Sequence, residues 1–133
     1  MDKIVFITGA SSGIGAGCAR KFASQGASLI LNARNVNKLS ALKEELEKQY
    51  GAKIYLLPFD VRDRKAATSA LESLPKEWQS IDILVNNAGL VIGTDKEQEG
   101  SLDEWDIVID TNIKALLAMT RLIVPGMVER KRG

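Results

Sequence analysis

The chain has 133 residues, of which 45% are hydrophobic and 26% charged, and its 18 basic and 17 acidic side chains leave a net charge of +1. This composition is typical of a soluble globular protein, and the length fits one domain over residues 1–133. The near-neutral charge argues against a nucleic-acid-binding protein, because the basic cluster from Arg130 to Arg132 stands alone.

Neither a membrane segment nor a metal site is expected from the sequence. No apolar run approaches the roughly 18 residues that span a bilayer, and the apolar stretch near the N-terminus is too short for a signal peptide. The single cysteine, Cys18, and the absence of histidine remove the usual metal ligands and the commonest general base. We expect a cytoplasmic protein in which Cys18 is a small packing residue.

Short β-branched segments alternate along the chain with amphipathic segments of helical length. The predicted strands are residues 4–8, 28–32, 53–57 and 81–86. The predicted helices are residues 13–25, a segment with Leu39, Leu42 and Leu46 that runs through Gln49, residues 64–73, and a long segment over 102–130. Strands separated by helices favour parallel pairing, hence an α/β fold with helices on both faces of an open sheet.

Residues typical of helix boundaries support these assignments. Gly26 and Gly51 follow the first two helices, and Asp63 is placed to cap the third. Ser101 and Glu104 form a capping box at the start of the long segment, which Pro125 is predicted to kink or break.

The first strand is followed by a glycine-rich segment, Thr8-Gly9-Ala10-Ser11-Ser12-Gly13-Ile14-Gly15. Its glycines permit a tight turn and close backbone approach, and the free N–H groups at the helix start suit an anion such as a pyrophosphate. The spacing differs from the common dinucleotide fingerprint and from the Walker P-loop. The alternative is a glycine-rich turn without a ligand.

The end of the second strand bears on the kind of dinucleotide. An NAD site offers a carboxylate to the ribose 2′-hydroxyl at this place, whereas an NADP site offers a cation to the 2′-phosphate. The chain has Arg34 there and no acidic residue. Arg34 is therefore a candidate for a 2′-phosphate, and the alternative is an ordinary surface arginine.

Polar residues also follow the third and fourth strands. Asp60 closes the third strand, and Asn86-Asn87-Ala88-Gly89 closes the fourth. The carboxyl ends of parallel strands share one edge of the sheet, where ligands of such folds bind. The asparagines and glycine are also typical of a plain turn.

In combination, these motifs resemble those of the short-chain dehydrogenase/reductase family, which uses NAD(H) or NADP(H). The resemblance runs from about Ile4 to the end of the chain. The motifs that carry it are Thr8-Gly9-x3-Gly13-Ile14-Gly15, Asp60-Val61, Asn86-Asn87-Ala88-Gly89 and Asn112. Segments 74–78, 81–90, 119–121 and 125–130 resemble the NADP-dependent serine/3-hydroxy acid dehydrogenases of that family.

The resemblance implies a Rossmann-like, doubly wound parallel sheet and a cofactor site along its carboxyl edge. The pyrophosphate would lie against Gly9–Gly15 and the 2′-phosphate near Arg34, which favours NADP(H) over NAD(H). Asn35 stands beside Arg34, where many NADP-preferring relatives have a second basic residue. Asp60 would bind the adenine amino group, with Val61 beside the ring.

The same resemblance assigns residues near the reacting end of the cofactor. Asn87, Ala88 and Gly89 would line the cofactor, and Asn112 matches the asparagine of the catalytic tetrad, which holds a water in the proton relay. Without the resemblance, Asn112 is a helix-interior polar residue that bonds nearby backbone.

The family's catalytic serine and Tyr-x3-Lys motif find no match in the 133 residues. Tyr50 and Tyr55 are followed four residues later by Ile54 and Phe59. We therefore expect a fold truncated before strand 5, in which strands 1 to 4 form the cofactor-binding half of a longer enzyme that is inactive alone. The alternatives are a non-catalytic dinucleotide-binding module and an inactive structural fragment.

The resemblance also implies the partners of the complete enzyme. Its substrate would be a small hydroxy acid, of the serine or allo-threonine type, or the corresponding carbonyl compound. Apolar residues occur on more than one face of the segment 102–130, which predicts burial on two sides. A homodimer or homotetramer through this segment is expected, and the alternative is helix-on-helix packing within one complete chain.

Overall fold

The computed structural model describes all 133 residues, which form four strands and five α-helices. The strands are β1 (Ile4–Ile7), β2 (Ser28–Leu31), β3 (Ile54–Leu56) and β4 (Ile83–Val85). The helices are α1 (Gly13–Ser24), α2 (Val36–Tyr50), α3 (Arg64–Glu72), α4 (Leu102–Ile109) and α5 (Ala115–Arg130). Short 3₁₀ turns cover Lys76–Trp78 and Glu97–Glu99, and a π-helical turn, Asp110–Lys114, joins α4 to α5.

All four strands are parallel and lie in the order β3-β2-β1-β4. Each predicted strand is present, although the hydrogen-bonded part is shorter by one to three residues. β1 is therefore an interior strand, while β3 and β4 each have one unpaired edge. This arrangement confirms the Rossmann-like parallel sheet that the alternating pattern and the resemblance predict.

Alternating side chains of β1 divide the hydrophobic core into two layers. Val5 and Ile7 face the layer that contains the α2 leucines, and Phe6 faces the layer that contains Met119 and Ile123 of α5. Val5, Phe6 and Ile7 are all completely buried, as expected for a parallel strand covered on both faces. Helices α1 and α2 thus cover one face of the sheet, and α3 and α5 cover the other.

The predicted helix boundaries agree with the cap geometry. The side chain of Asp63 accepts a hydrogen bond from Ala66 N, and Gly51 ends α2 in the left-handed conformation with φ +62°. The Ser101 hydroxyl accepts a bond from Glu104 N at 3.3 Å, which is one half of the predicted capping box. The carboxylate of Glu104 lies beside Gly93.

Of the two predicted effects of Pro125, a kink or a break, the break does not occur. Helix α5 continues through Pro125 as far as Arg130, and the irregular turn of the long segment lies at Asp110–Lys114. Proline removes one backbone hydrogen bond, and the burial of Met119 and Ile123 against the sheet holds the turns around it in place.

The long helical segment buries only one of its apolar faces within the chain. Met119 and Ile123 lie in the core, whereas Ile113 and Leu117 are 55% and 61% exposed. These 133 residues thus cover one side of the segment. Pairing with another copy and packing within a longer chain both stay predictions. None of the five helices combines the length and apolar character that crossing a membrane requires.

Candidate functional site

An open cavity of about 350 Å³ lies at the carboxyl edge of the sheet. Segments that follow all four strands border it, as the position of polar residues at the strand ends predicts. Its lining residues are Gly9, Ser11, Ser12, Ile14, Asn32, Ala33, Arg34, Phe59, Asp60, Val61, Arg62, Asn87, Ala88, Gly89, Leu90 and Thr111. The volume is within the range of small-molecule sites.

Two glycines allow the backbone around the cavity to approach closely. Gly9 has φ +62°, and a Cβ there would lie 2.9 Å from Ala88 Cα. A Cβ at Gly15 would lie 2.5 Å from Asn87 Nδ2 and closer still to the carbonyl oxygen of Gly9. Side chains at either position would therefore separate the loop after β1 from the segment after β4.

The N-terminus of α1 carries no internal cap. Ser12 is at the N-cap position, but its side chain makes no capping hydrogen bond, and no acidic residue lies in the first turn. By contrast, Asn35, Asp63 and Ser101 cap helices α2, α3 and α4 with their side chains. The first N–H groups of α1 are thus available to an anion in the cavity, where the helix dipole favours negative charge.

Thr8 joins the two loops that border the cavity. Its hydroxyl oxygen accepts hydrogen bonds from Asn87 N at 3.0 Å and from Ala88 N at 2.9 Å. Asn87 Nδ2 in turn donates to the carbonyl oxygens of Thr8 and Gly9, at 3.2 and 3.0 Å. In the sequence, Thr8 is recognisable only as the first residue of the glycine-rich segment. Its role in joining the two loops depends on contacts that only the structure shows.

Asn32 holds the end of β2 against the segment that leads to Asp60. Its side-chain amide is buried and donates to the carbonyl oxygens of Leu57 and Phe59, both at 3.1 Å. Ala10 N donates to the Asn32 carbonyl oxygen at 2.8 Å. Sequence reasoning missed this residue, although a polar residue at the end of an apolar strand is a usable signal.

Charged groups lie together at the end of the cavity formed by the β2 and β3 loops. Arg34, Asp60 and Arg62 all line it. Arg62 Nη2 lies 2.8 Å from Asp60 Oδ2, and hydrogen bonds from Arg62 hold the pKa of the Asp60 carboxyl below its usual value. The positive charge of Arg34 acts in the same direction on this pKa. Asp60 is therefore ionised at neutral pH.

Most of the predicted site residues line the cavity, and five do not. Ala10 is buried in the core, and Gly15 packs against the loop after β1. Gly13 adopts φ +56° at the start of α1, and the Asn35 side chain accepts a hydrogen bond from Lys38 N. A cofactor contact of these residues stays a prediction.

Asn112 is the fifth, and it anchors the loop after β4. Its side chain accepts a hydrogen bond from Leu90 N and donates one to the Leu90 carbonyl oxygen, both at 2.8 Å. Asn112 lies in the π-helical turn Asp110–Lys114, next to Thr111, which lines the cavity. A catalytic role for Asn112 stays a prediction, while its geometry shows that it positions Leu90.

Asn112→Ala is expected to loosen the segment from Gly89 to Gly100, because both backbone groups of Leu90 lose their partner. We expect faster amide hydrogen exchange in this segment and a loss of about 1 kcal/mol in the free energy of unfolding. Hydrogen exchange followed by mass spectrometry checks this. In Asn112→Asp the acceptor for Leu90 N remains, so an intermediate effect is expected. Unchanged exchange in Asn112→Ala contradicts the anchoring role.

Comparison with known proteins agrees with this geometry. The family model for short chain dehydrogenase matches residues 3–133. The chain, with its parallel sheet and its cavity at the carboxyl edge, therefore belongs to the short-chain dehydrogenase family.

Similar proteins include dehydrogenases and reductases of about twice the length. The NADP-dependent 3-hydroxy acid dehydrogenase YdfG of Escherichia coli O6:H1 is 46% identical over 130 residues, 98% of this chain and 51% of that protein. Sulfoacetaldehyde reductase 2 of Chromohalobacter salexigens is 41% identical over 133 residues, 100% of this chain and 52% of the reductase. The chain thus spans about half the length of the curated relatives it matches.

A solved structure of a similar protein contains a cofactor. The closed form of serine dehydrogenase complexed with NADP⁺ superposes with a TM-score of 0.89 and 45% sequence identity, covering 98% of this chain and 51% of that one. The residues of the present cavity fit such a dinucleotide, because an uncapped helix N-terminus and a cationic side chain border the same space.

Proposed function

We propose that this chain binds NADP(H) and forms the cofactor-binding half of an oxidoreductase that interconverts an alcohol and a ketone. The observation that carries the proposal is the single cavity that contains both the uncapped N-terminus of α1 and the guanidinium of Arg34. The first group suits a pyrophosphate, and the second suits a phosphate on the adenosine ribose. Two separated anion-binding groups in one cavity are what an NADP dinucleotide needs.

Each part of the cavity has a proposed role in holding the cofactor. Within the segment from Gly9 to Gly15, the free backbone N–H groups at the N-terminus of α1 bind the pyrophosphate. Asp60 accepts a hydrogen bond from the adenine amino group. The segment from Asn87 to Gly89 borders the path toward the nicotinamide. When bound, the cofactor supplies or accepts the hydride, while Asn112 keeps the Leu90 loop in place beside it.

The proposed substrate is a small 3-hydroxy acid of the serine or allo-threonine type. Support comes from the 46% identity to an NADP-dependent 3-hydroxy acid dehydrogenase. The 41% identity to a sulfoacetaldehyde reductase supports small acidic carbonyl compounds more generally. A cytoplasmic location and assembly through residues 102–130 stay predictions.

A non-catalytic dinucleotide-binding module is the second candidate. The observations that carry the proposal, the uncapped N-terminus of α1 and the guanidinium of Arg34, concern cofactor binding alone and are shared by this candidate. For the 133 residues alone, we propose saturable NADPH binding without turnover of serine. Binding without turnover fits both candidates, whereas turnover by these residues excludes the module. An absence of NADPH binding contradicts both.

Arg34→Ala tests the proposed cofactor preference. We expect NADPH affinity to fall about tenfold or more with NADH affinity nearly unchanged, because only NADPH offers a 2′-phosphate to the guanidinium. Fluorescence titration with both nucleotides measures the ratio of the two affinities. Arg20→Ala is the matched control, since its guanidinium is bound to Glu45 at 2.8 Å on the α1–α2 surface. An unchanged ratio in Arg34→Ala overturns the assignment.

A further inference from the structure

A negatively charged side chain, Asp60, lines the same cavity as Arg34, where the proposed function requires a phosphate to bind. Asp60 and Arg34 line the same end of the cavity, close enough for the Arg34 charge to act on the Asp60 carboxyl. A phosphate that approaches Arg34 therefore also approaches the Asp60 carboxylate. Two anions in one partly exposed site repel each other, and this repulsion opposes binding of the 2′-phosphate.

Arg62 forms a bidentate pair with that carboxylate. Its Nε atom lies 3.2 Å from both oxygens of Asp60, and its Nη2 atom lies 2.8 Å from Oδ2. Its backbone N–H donates to Oδ1 at 3.0 Å. The side chains of Arg62 and Asp60 are 31% and 30% exposed, and both line the cavity.

The other acidic group near Arg62 has a partner of its own. Besides the hydrogen bond to Asp60, which has the larger effect, the negative charge of Asp110 in the π-helical turn raises the pKa of Arg62. The Asp110 carboxylate itself forms an ion pair with Lys114 at 3.1 Å. The ion-pair partner of Arg62 is thus Asp60 and not Asp110. Together, the side chains of Arg34, Asp60 and Arg62 have a net charge of +1. Without Arg62 the same end of the cavity would be neutral.

We propose that Arg62 is a specificity-determining residue, which neutralises Asp60 and thereby lets a 2′-phosphate bind beside Arg34. This inference rests on the proposed function, because it assumes that the cavity takes an adenine nucleotide. Arg62 acts through Asp60 and does not have to touch the phosphate. The preference for NADPH over NADH then depends on residues of two loops: Arg34 in the loop after β2 and Arg62 in the loop after β3.

Two small nucleotides that differ only in the 2′ group provide the test. Adenosine 2′,5′-bisphosphate and adenosine 5′-monophosphate are titrated by calorimetry into the protein and into four variants: Arg62→Ala, Arg62→Lys, Asp60→Asn and the double variant of Arg62→Ala with Asp60→Asn. Both probes contain adenine and the 5′-phosphate, so the ratio of their affinities isolates the 2′-phosphate. Circular dichroism establishes that each variant is folded.

We expect Arg62→Ala to lower the bisphosphate affinity about tenfold more than the monophosphate affinity, the size of one lost charge at a partly exposed site. The double variant is expected to regain most of the original ratio, because Asp60→Asn leaves no carboxylate to neutralise. In Arg62→Lys, which keeps the charge, the ratio is expected to stay near that of the unmodified protein.

The outcomes separate this inference from the proposed function. If the unmodified protein binds the bisphosphate more tightly and Arg62→Ala keeps the same ratio, the role of Arg62 is overturned while the proposed function stands. A ratio in the double variant as low as in Arg62→Ala also overturns it, since a merely structural role would give that result. If the unmodified protein binds neither nucleotide, the proposed function and the inference both fail.

Discussion

Gly15→Ala is expected to destabilise the protein by about 3 kcal/mol, the upper part of the range for an overpacked site. The added methyl group would lie 2.5 Å from Asn87 Nδ2 and closer still to the Gly9 carbonyl oxygen. Relief requires the backbone of the β1 loop to move, because a carbonyl group cannot rotate away as a flexible side chain can. Urea unfolding followed by circular dichroism measures the loss.

Gly17→Ala is the matched control for this prediction. Gly17 lies two residues further along α1, and a Cβ there would meet nothing within 4 Å. Alanine favours the helical backbone over glycine, so a gain of about 0.5–1 kcal/mol is expected. If both variants unfold at the same urea concentration, the close approach of α1 to the β1 loop does not determine stability.

Thr8→Val is expected to cost about 2 kcal/mol, since it removes the oxygen that accepts hydrogen bonds from Asn87 and Ala88 while nearly keeping the shape of the side chain. Asn87 N keeps its hydrogen bond to the Val85 carbonyl oxygen at 3.0 Å, so the main loss is the hydrogen bond of Ala88 N to the Thr8 hydroxyl. Thermal and urea unfolding measure the cost. The same variant is expected to weaken NADPH binding, because Asn87 and Ala88 line the cavity.

Thr8→Ser separates the hydroxyl from the methyl group at this position. Serine keeps the acceptor and loses one buried methyl group, for an expected cost of about 1 kcal/mol. Thr8 is 2% exposed, so both effects are those of a buried site. A serine variant less stable than the valine variant would show that packing, and not the hydrogen bonds, dominates at Thr8.

The sequence allowed the fold to be predicted well because its signals are local. Gly26 and Gly51 have φ values of +82° and +62°, conformations that glycine adopts without steric cost, and both follow predicted helices. The side chain of Asp63 caps α3 through a bond to a residue three positions away. Such contacts are visible in a short window of sequence, whereas the continuous helix through Pro125 depends on burial elsewhere in the fold.

The site was predicted less completely because its geometry depends on distant pairs. Thr8 and Asn87 are 79 residues apart, and Asn32 bonds to carbonyl groups 25 and 27 residues away. The strand-end rule still predicted that Arg34 and Asp60 lie at one edge. The rule could not show that Arg62 turns back onto Asp60, since that depends on side-chain direction. Asn35 caps α2 through a bond from Lys38 N three positions away, a local signal of the same kind as that of Asp63.

Because β1 lies between β2 and β4, the cavity forms only when both of these strands have paired with it. Val5 lies opposite Leu29 of β2 and opposite Ile83 of β4, so the second pairing closes a loop roughly three times as long as the first. Closing the longer loop costs about 1 kcal/mol more in chain entropy. Any ligand that fills the cavity touches the loop after β1 and the segment after β4 together, and so favours this closure. Ligand binding and completion of the sheet are thereby coupled in one equilibrium.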